Sequence, residues 1–152
     1  MMRHTRRLTK ERADLEKSMP AGITILEADN FEQWLLEVRV LDENPLYVGK
    51  TFLLRFKFLP SYPIEAPEVQ FTKQRGHPVP INPHIYSNGH ICLDLLGNGW
   101  SPIQTVSSVA ISIQSMLASN HKNERPPDDQ KYVVDAPDNP KESRFHYYDD
   151  TV

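Results

Sequence analysis

Alternation of apolar and polar positions predicts strands in the first half of the chain. Within residues 34–40 (WLLEVRV) and residues 51–58 (TFLLRFKF), every even-numbered position is apolar. A period of two is typical of a half-buried strand. Residues 23–26 and 68–71 are shorter apolar runs that complete a predicted set of four. Short connections between the first three runs favour an antiparallel meander over parallel β-α-β units, whose crossovers need a dozen or more residues.

A period of three to four residues predicts two helices. Residues 5–18 place Leu8 and Leu15 on one stripe among charged side chains, before Pro20. Residues 106–117 carry a wide apolar face typical of a core helix. Its predicted start is Ser101 as the cap, followed by a proline at the first helical position. Thr105 is the competing cap. The apolar face consists of Val106, Val109, Ala110, Ile113, Met116 and Leu117.

Prolines separate these elements and set the domain boundaries. Residues 60–67 and 72–86 contain several prolines and no periodicity, and a long ordered loop is usually functional. Beyond residue 119 the chain is polar, and further prolines interrupt any long helix. The prediction is an α+β core domain over residues 1–125 and an irregular tail over residues 126–152. The aromatic residues of the tail that could dock are Tyr132, Phe145, Tyr147 and Tyr148.

Composition narrows the function class. The 152 residues are 39% hydrophobic and 24% charged, which is typical of one globular domain in water. A net charge of −3 does not indicate a nucleic-acid binder, and no apolar run is long enough for a membrane span. The basic N-terminus lacks the apolar segment of a secretory signal, although an arginine-rich transit peptide is an alternative. A single cysteine then indicates the cytoplasm or the nucleus.

The candidate chemistry lies around Cys92, the only cysteine. It follows an Asn-Gly turn and lies near Asn82, His84 and Asp94. One cysteine suits a nucleophile better than a disulfide or a thiolate metal site. The alternative is a small, inert, buried side chain.

A metal site is a further alternative. The metal-ligating residue types nearby are His77, His84, His90 and Cys92. They lack the paired spacing of a zinc site, and no second cysteine is present. We therefore predict neither a metal nor a cofactor.

Residues 82–94 (NPHIYSNGHICLD), followed by Trp100-Ser101-Pro102, resemble the active-site signature of ubiquitin-conjugating enzymes. Residues 62–67 (YPIEAP) resemble their proline-rich loop, and the order of elements over about residues 5–120 is also similar. The resemblance implies their fold, with an N-terminal helix, a four-stranded meander, an active-site loop and a central helix. It also implies that Cys92 accepts ubiquitin as a thioester from the activating enzyme and passes it to an amine, often with a RING-type ligase.

Two features are most similar to the W type of the family, which favours the N-terminal α-amino group of its substrates. Pro83-His84 stands where most members have Pro-Asn, and Arg125-Pro126-Pro127-Asp128 and the ending at residues 147–151 resemble that type. The predicted partners therefore include protein substrates with accessible N-termini. Asp94, however, matches the lysine-transferring members, so lysine transfer stays open.

The resemblance assigns a role to each residue of the signature. His84 occupies the position of the asparagine that stabilises the oxyanion or orders the loop. Asn82 is interpreted mainly as a brace of that loop. Asp94 either orients the incoming amine and lowers its pKa or is a solvated loop acid. Glu124 falls near the acidic gate position of other members.

Other positions match the surface that the activating enzyme and ligases use: Arg6, Arg7, Ile64, Ser101, Pro102 and Ile103. For Arg6 and Arg7 a solvated helix face is the alternative. Two other functions stay open, namely a conjugating enzyme for a different ubiquitin-like modifier and a non-catalytic ubiquitin-binding scaffold. Scaffolds of this fold lack the cysteine, so Cys92 argues against the second.

Overall fold

The computed structural model describes residues 3–41 and 43–142. The helices and strands, in chain order, are α1 Arg3–Lys17, β1 Ile23–Glu27, β2 Gln33–Arg39, β3 Thr51–Lys57, β4 Glu68–Thr72, α2 Val106–Ala118 and α3 Asp129–Asp135. Single 3₁₀ turns span Gln74–Gly76, Asp94–Leu96 and Pro140–Glu142. No helix in the described ranges is both long and apolar enough to cross a membrane.

The four strands form one antiparallel sheet in the order β1-β2-β3-β4. The predicted α+β fold with a four-stranded meander is therefore confirmed. The alternating apolar positions of β2 and β3 face each other across the ladder, as in the pairs Trp34–Phe56 and Leu36–Leu54, and all four are fully buried. The apolar stripe of α2 joins them in one core. Leu53, on the opposite face of β3, is also buried, so the outer face of the sheet is not wholly exposed.

Glu11 ties α1 to the proline-rich loop and to α2. Its buried carboxylate accepts hydrogen bonds from the Tyr62 hydroxyl (2.6 Å), Arg7 Nε (2.9 Å) and the backbone N–H of Val106 (2.7 Å). A carboxylate at the first turn of a helix satisfies a free N–H and complements the helix dipole. Burial, with the neighbouring Glu11 charge, raises the pKa of Tyr62. The network fixes the start of α2 relative to α1.

The start of α2 corrects one prediction. Thr105 caps the helix through a reciprocal pair of bonds with Ser108 (3.0 and 2.8 Å), so the competing prediction is confirmed. The prediction of Ser101 as the cap is wrong. Its hydroxyl accepts only a long contact of 3.4 Å from the N–H of Ile103, outside the helix.

The structure of the C-terminal region corrects a second prediction. The prediction of an irregular tail is wrong for Asp129–Asp135, which is helical. The prolines do keep this helix short, since it ends at Asp135 and its cap residue Ala136 directly precedes Pro137. The predicted docking of Tyr132 is confirmed, because its ring stacks on Tyr86. The other predicted docking residues, Phe145, Tyr147 and Tyr148, lie outside the described residues.

Candidate active site

A short hairpin carries Cys92. The backbone N–H of Cys92 donates to the carbonyl of His84 (2.7 Å), and Ile85 and Ile91 form an antiparallel bridge. At the tip, the N–H groups of Tyr86 and Gly89 donate to the carbonyls of His90 and Tyr86, at 2.9 Å each. The Asn-Gly pair noted in the sequence is therefore a hairpin turn that sets His84 and Cys92 directly opposite each other.

Gly89 lets this hairpin lie against the sheet. Its carbonyl accepts a hydrogen bond from the N–H of Phe71 (2.9 Å), and Gln70 and His90 form a bridge beside it. The φ of Gly89 is +96°, and a Cβ there would overlap the carbonyl oxygen of Phe71. Only glycine combines that backbone angle with so close an approach. The hairpin is thus an extension of the β4 edge of the sheet.

Asn82 has the geometry of the predicted brace. It is 1% exposed, and its Oδ1 accepts a hydrogen bond from the N–H of His84 (2.8 Å). The Tyr47 hydroxyl donates to the carbonyl of Ile81 (2.7 Å) and accepts from the side-chain amide of Asn120 (2.7 Å). The Asn82 amide reaches the same hydroxyl at 3.5 Å. A buried polar cluster therefore supports the loop from behind, and a part for Asn82 in the chemistry stays a prediction.

The three candidate reactive residues differ in exposure. Cys92 is 3% exposed and His84 is 5% exposed, so both are nearly buried. Asp94 is exposed at the start of the 3₁₀ turn, where its carbonyl accepts from the N–H groups of Gly97 and Gly99 at 2.9 Å each. The structure therefore brings Asn82, His84 and Cys92 together and leaves the Asp94 carboxylate in solvent two residues away.

A small cleft lies beside the loop that carries His84. Its volume is about 110 Å³, and it separates this loop from the C-terminal end of α2. The lining residues are Asn82, Pro83, His84, Met116, Ser119, Asn120, His121 and Lys122. Among the described residues, no group of three His, Cys, Asp or Glu side chains is placed to hold a metal ion.

The residues predicted to bind partners lie on α1 and on two further segments, at Ile64 and at residues 101–103, that are connected to each other. Trp100 joins them, because its indole N–H donates to the carbonyl of Pro63 (2.9 Å). Ile64 and Ile103 are 64% and 83% exposed, which is unusual for large apolar side chains and typical of a contact surface. Pro102 and Arg6 are exposed as well, and Ser101 is half-buried.

Arg7 has an internal role. Its guanidinium donates to the carboxylate of Glu11 (2.9 Å) and to the carbonyl of Gln104 (2.7 Å), and it lies 5.8 Å from the ring centroid of Tyr62. Arg7 therefore holds α1 against the segment before α2. Its contact with a partner stays a prediction.

The partners of the C-terminal region were not predicted from sequence, although Tyr132 was named as a residue that could dock. The Arg125 guanidinium donates to backbone carbonyls of the active-site loop, and Tyr132 bonds His90 through its hydroxyl (2.7 Å). Burial lowers the pKa of His90, an effect that the neighbouring Arg55 adds to and Asp138 opposes. The sequence signals for these contacts were the Arg125–Asp128 motif and the aromatic Tyr132, and neither indicates which residues are contacted.

The arrangement suits acyl transfer through a thiol. A thiolate is both a good nucleophile and a good leaving group near neutral pH, so it can accept an acyl group and release it to an amine. The hairpin fixes the backbone on either side of that thiol. The exposed side chains of Ile64 and Ile103 lie on segments outside this hairpin, and their contact with protein partners stays a prediction.

Comparisons with known proteins agree with this geometry. Residues 7–147 match the sequence model of the family described as "Ubiquitin-conjugating enzyme". The chain is 48% identical to a probable ubiquitin-conjugating enzyme E2 W of Dictyostelium discoideum over 99% of this chain and 98% of that protein. It is 43% identical to ubiquitin-conjugating enzyme E2 W of Caenorhabditis elegans over 97% of each chain. The crystal structure of the ubiquitin-conjugating enzyme E2 UbcA1 from Agrocybe aegerita superposes with a TM-score of 0.90, at 44% identity, covering 93% of this chain and all of that one.

Proposed function

This chain belongs to the ubiquitin-conjugating enzyme family, and we propose that it transfers ubiquitin from Cys92 mainly to the N-terminal α-amino group of protein substrates. Members of the family are transferases that act through a thioester and work with ubiquitin, an activating enzyme and a ligase. The proposal concerns the acceptor and the residues that select it.

The transfer is an aminolysis of a thioester. The amine nitrogen attacks the carbonyl carbon at the carboxyl terminus of ubiquitin, and a C–N bond forms. The C–S bond then breaks, Cys92 leaves as a thiolate, and the nitrogen loses a proton to solvent or to a base. Only the unprotonated amine carries the lone pair for this attack, so the pKa of the acceptor sets part of the barrier.

The observation that carries the proposal is His84, which stands where most members of the family have asparagine. It is buried, its N–H is held by Asn82, and its carbonyl holds the N–H of Cys92. An amide group offers two N–H donors, whereas a neutral imidazole offers one. In its neutral form His84 therefore offers fewer donors than asparagine for polarising or ordering the site, whereas a charged imidazole offers two.

An α-amine needs less help than a lysine. Their reference pKa values are about 7.7–8.0 and about 10.4, so deprotonating lysine costs roughly 3.4 kcal/mol more. A site directed at α-amines can therefore function without part of the machinery that lysine transfer needs. The relatives named E2 W bear the name of the family type whose resemblance to this chain implies the same acceptor.

Asp94 favours lysine as a second, slower acceptor. Its exposed carboxylate lies two residues from Cys92, where it can attract a lysine ammonium and orient it toward the thioester.

The exposed side chains of Ile64 and Ile103 support a docking surface for the activating enzyme and for a RING-type ligase. Exposed apolar side chains of this kind commonly bind in shallow grooves on partner proteins.

Two matched substrates test the acceptor. One has a free N-terminus and no lysine, and the other is N-acetylated and contains lysines. We expect the first to be modified at least about tenfold faster, because its acceptor is less protonated at neutral pH. His84→Asn should increase lysine transfer and so reduce the difference in rate between the two substrates. Asp94→Asn should lower the rate of lysine transfer without changing the rate of α-amine transfer. Modification of only the acetylated, lysine-bearing substrate by the wild-type enzyme would falsify the proposal.

A further inference from the structure

Arg125 holds both stems of the loop that carries Asn82 and His84. Its Nη1 donates to the carbonyls of Pro80 (2.6 Å) and Ile85 (3.1 Å), and its Nη2 donates to the carbonyl of Val79 (3.0 Å). One planar guanidinium thus connects the segment entering the loop with the segment leaving it. No other side chain offers donors in this fixed fork geometry.

The helix α3 holds the tip of the same hairpin. Tyr132 stacks on Tyr86 with ring centroids 3.7 Å apart, and its hydroxyl bonds Nδ1 of His90 at 2.7 Å. Asp128 accepts a hydrogen bond from the Tyr86 hydroxyl (3.0 Å), and Asp129 accepts one from the N–H of Ser87 (2.8 Å). We call Arg125, Asp128, Asp129 and Tyr132 the clasp.

The clasp adds little to the hydrophobic core. Within the described residues, the buried core cluster ends at Leu117, and α3 has no buried residue. The polar contacts of the clasp described above all go to residues 79–90, the loop and hairpin tip next to Cys92. The clasp touches the core only at its margin, through the carbonyls of Val79 and Ile85 and the ring of Tyr86. Because its own side chains lie outside the core cluster, we expect that it can be weakened while the fold is kept.

A displacement of the loop that carries Asn82 and His84 would also displace Cys92. The N–H of Cys92 is bonded to His84, which lies between two of the carbonyls that Arg125 holds, those of Pro80 and Ile85. His90, which Tyr132 holds, is two residues before Cys92. In enzymes, a displacement of about 1 Å can reduce rates by up to about 100-fold.

From these contacts we infer that Arg125 and Tyr132 are positioning residues, which hold the Cys92 hairpin in the geometry that amine attack requires. They do not touch the reacting atoms. The inference rests on the thioester chemistry proposed above but does not depend on which amine is preferred. Weakening the clasp should therefore slow transfer to an α-amine and to a lysine by the same factor.

The test measures single-turnover discharge. The full-length protein is charged with ubiquitin by the activating enzyme, and ATP is then removed. Loss of the thioester is followed at increasing concentrations of a peptide with a free α-amine and, separately, of an N-acetylated peptide that contains lysine. We expect Arg125→Met to lower the maximal rate about tenfold with little change in the half-saturating concentration. Arg125→Lys should recover part of the rate, and Tyr132→Phe, which keeps the ring stack, should lose less.

Lys141→Met is the matched control. Lys141 is another C-terminal cation that donates to a backbone carbonyl, that of Ala66 (2.8 Å), but it does not contact the active-site loop. We expect this variant to discharge at the wild-type rate. Thermal unfolding of every variant shows whether a change in rate reflects a loss of fold.

Arg125→Met and Tyr132→Phe proteins that are folded and discharge at the wild-type rate would overturn the inference, as would equal losses in Lys141→Met. If Arg125→Met does not fold, the rate of Tyr132→Phe decides. A wild-type protein without acceptor preference would contradict the proposed acceptor only. The inference about the clasp would stand if both acceptors slowed equally in its variants.

Discussion

At the scale of single residues, Gly89 decides whether the Cys92 hairpin can reach the sheet. Two costs meet at this position, the left-handed backbone angle and the contact with the Phe71 carbonyl. Gly49 has a similar angle, φ +73°, but nothing lies within 4 Å of where its Cβ would be. Substituting alanine at each of the two glycines therefore distinguishes the free-energy cost of the left-handed backbone angle from that of the overlap with the Phe71 carbonyl.

We expect Gly49→Ala to lower the free energy of unfolding by about 1–2 kcal/mol, which is the cost of a left-handed residue with a Cβ. Gly89→Ala should cost at least about 2 kcal/mol more, because a backbone carbonyl cannot turn aside as a side chain can. Urea denaturation of both variants measures the difference. Equal losses would mean that the hairpin tolerates displacement from β4.

Some contacts in the candidate site join residues that are close in sequence, and others join residues that are far apart in sequence. Asn82, His84 and Cys92 lie within one short motif, so their proximity could be predicted from sequence. Arg125 and Tyr132 meet that motif from about 40 residues away. Their partners are backbone carbonyls and a buried histidine, which leave no pattern in the sequence. The sequence indicated that Tyr132 could dock, but the partners of the clasp could be found only from the structure.

At the scale of elements, the strands and α2 were predictable because each has an apolar period that matches its geometry. The start of α2 was not predictable, since both Ser101-Pro102 and Thr105 have residue types typical of a helix N-terminus. Tertiary contacts decide between them. Trp100 is bonded to the proline-rich loop, and Glu11 accepts the N–H of Val106, which places the first turn of the helix after Thr105. The seven-residue α3 has no apolar stripe and gave no periodic signal.

The cap of α2 gives a prediction at this scale. Thr105→Ala removes the oxygen that accepts the Ser108 N–H, and we expect it to lower the free energy of unfolding by about 1 kcal/mol. Ser101→Ala is the control, and it should change stability by less than about 0.5 kcal/mol because its hydroxyl lies outside the helix. Thermal or urea unfolding distinguishes them. A larger loss from Ser101→Ala would contradict the cap assignment.

At the scale of the whole molecule, the fold separates three tasks. The sheet, α1 and α2 form a core in which no member lies beyond Leu117 among the described residues. The segments at Ile64 and Ile103 expose large apolar side chains, which we propose as the docking surface for protein partners. The hairpin at Cys92 extends the sheet and is held by the clasp. Under the proposed function, the core presents the thiol, and the contacts around it set the acceptor and the rate of transfer.

Formation of a ubiquitin adduct on Cys92 tests the central claim most directly. The protein is incubated with activating enzyme, ATP and ubiquitin, or separately with other ubiquitin-like modifiers, and its intact mass is measured before and after thiol treatment. We expect one ubiquitin adduct that thiol removes, that is absent in Cys92→Ala, and that resists thiol in Cys92→Ser because the bond is then an ester. An adduct only with another modifier, no adduct at all, or one that persists in Cys92→Ala would contradict the account.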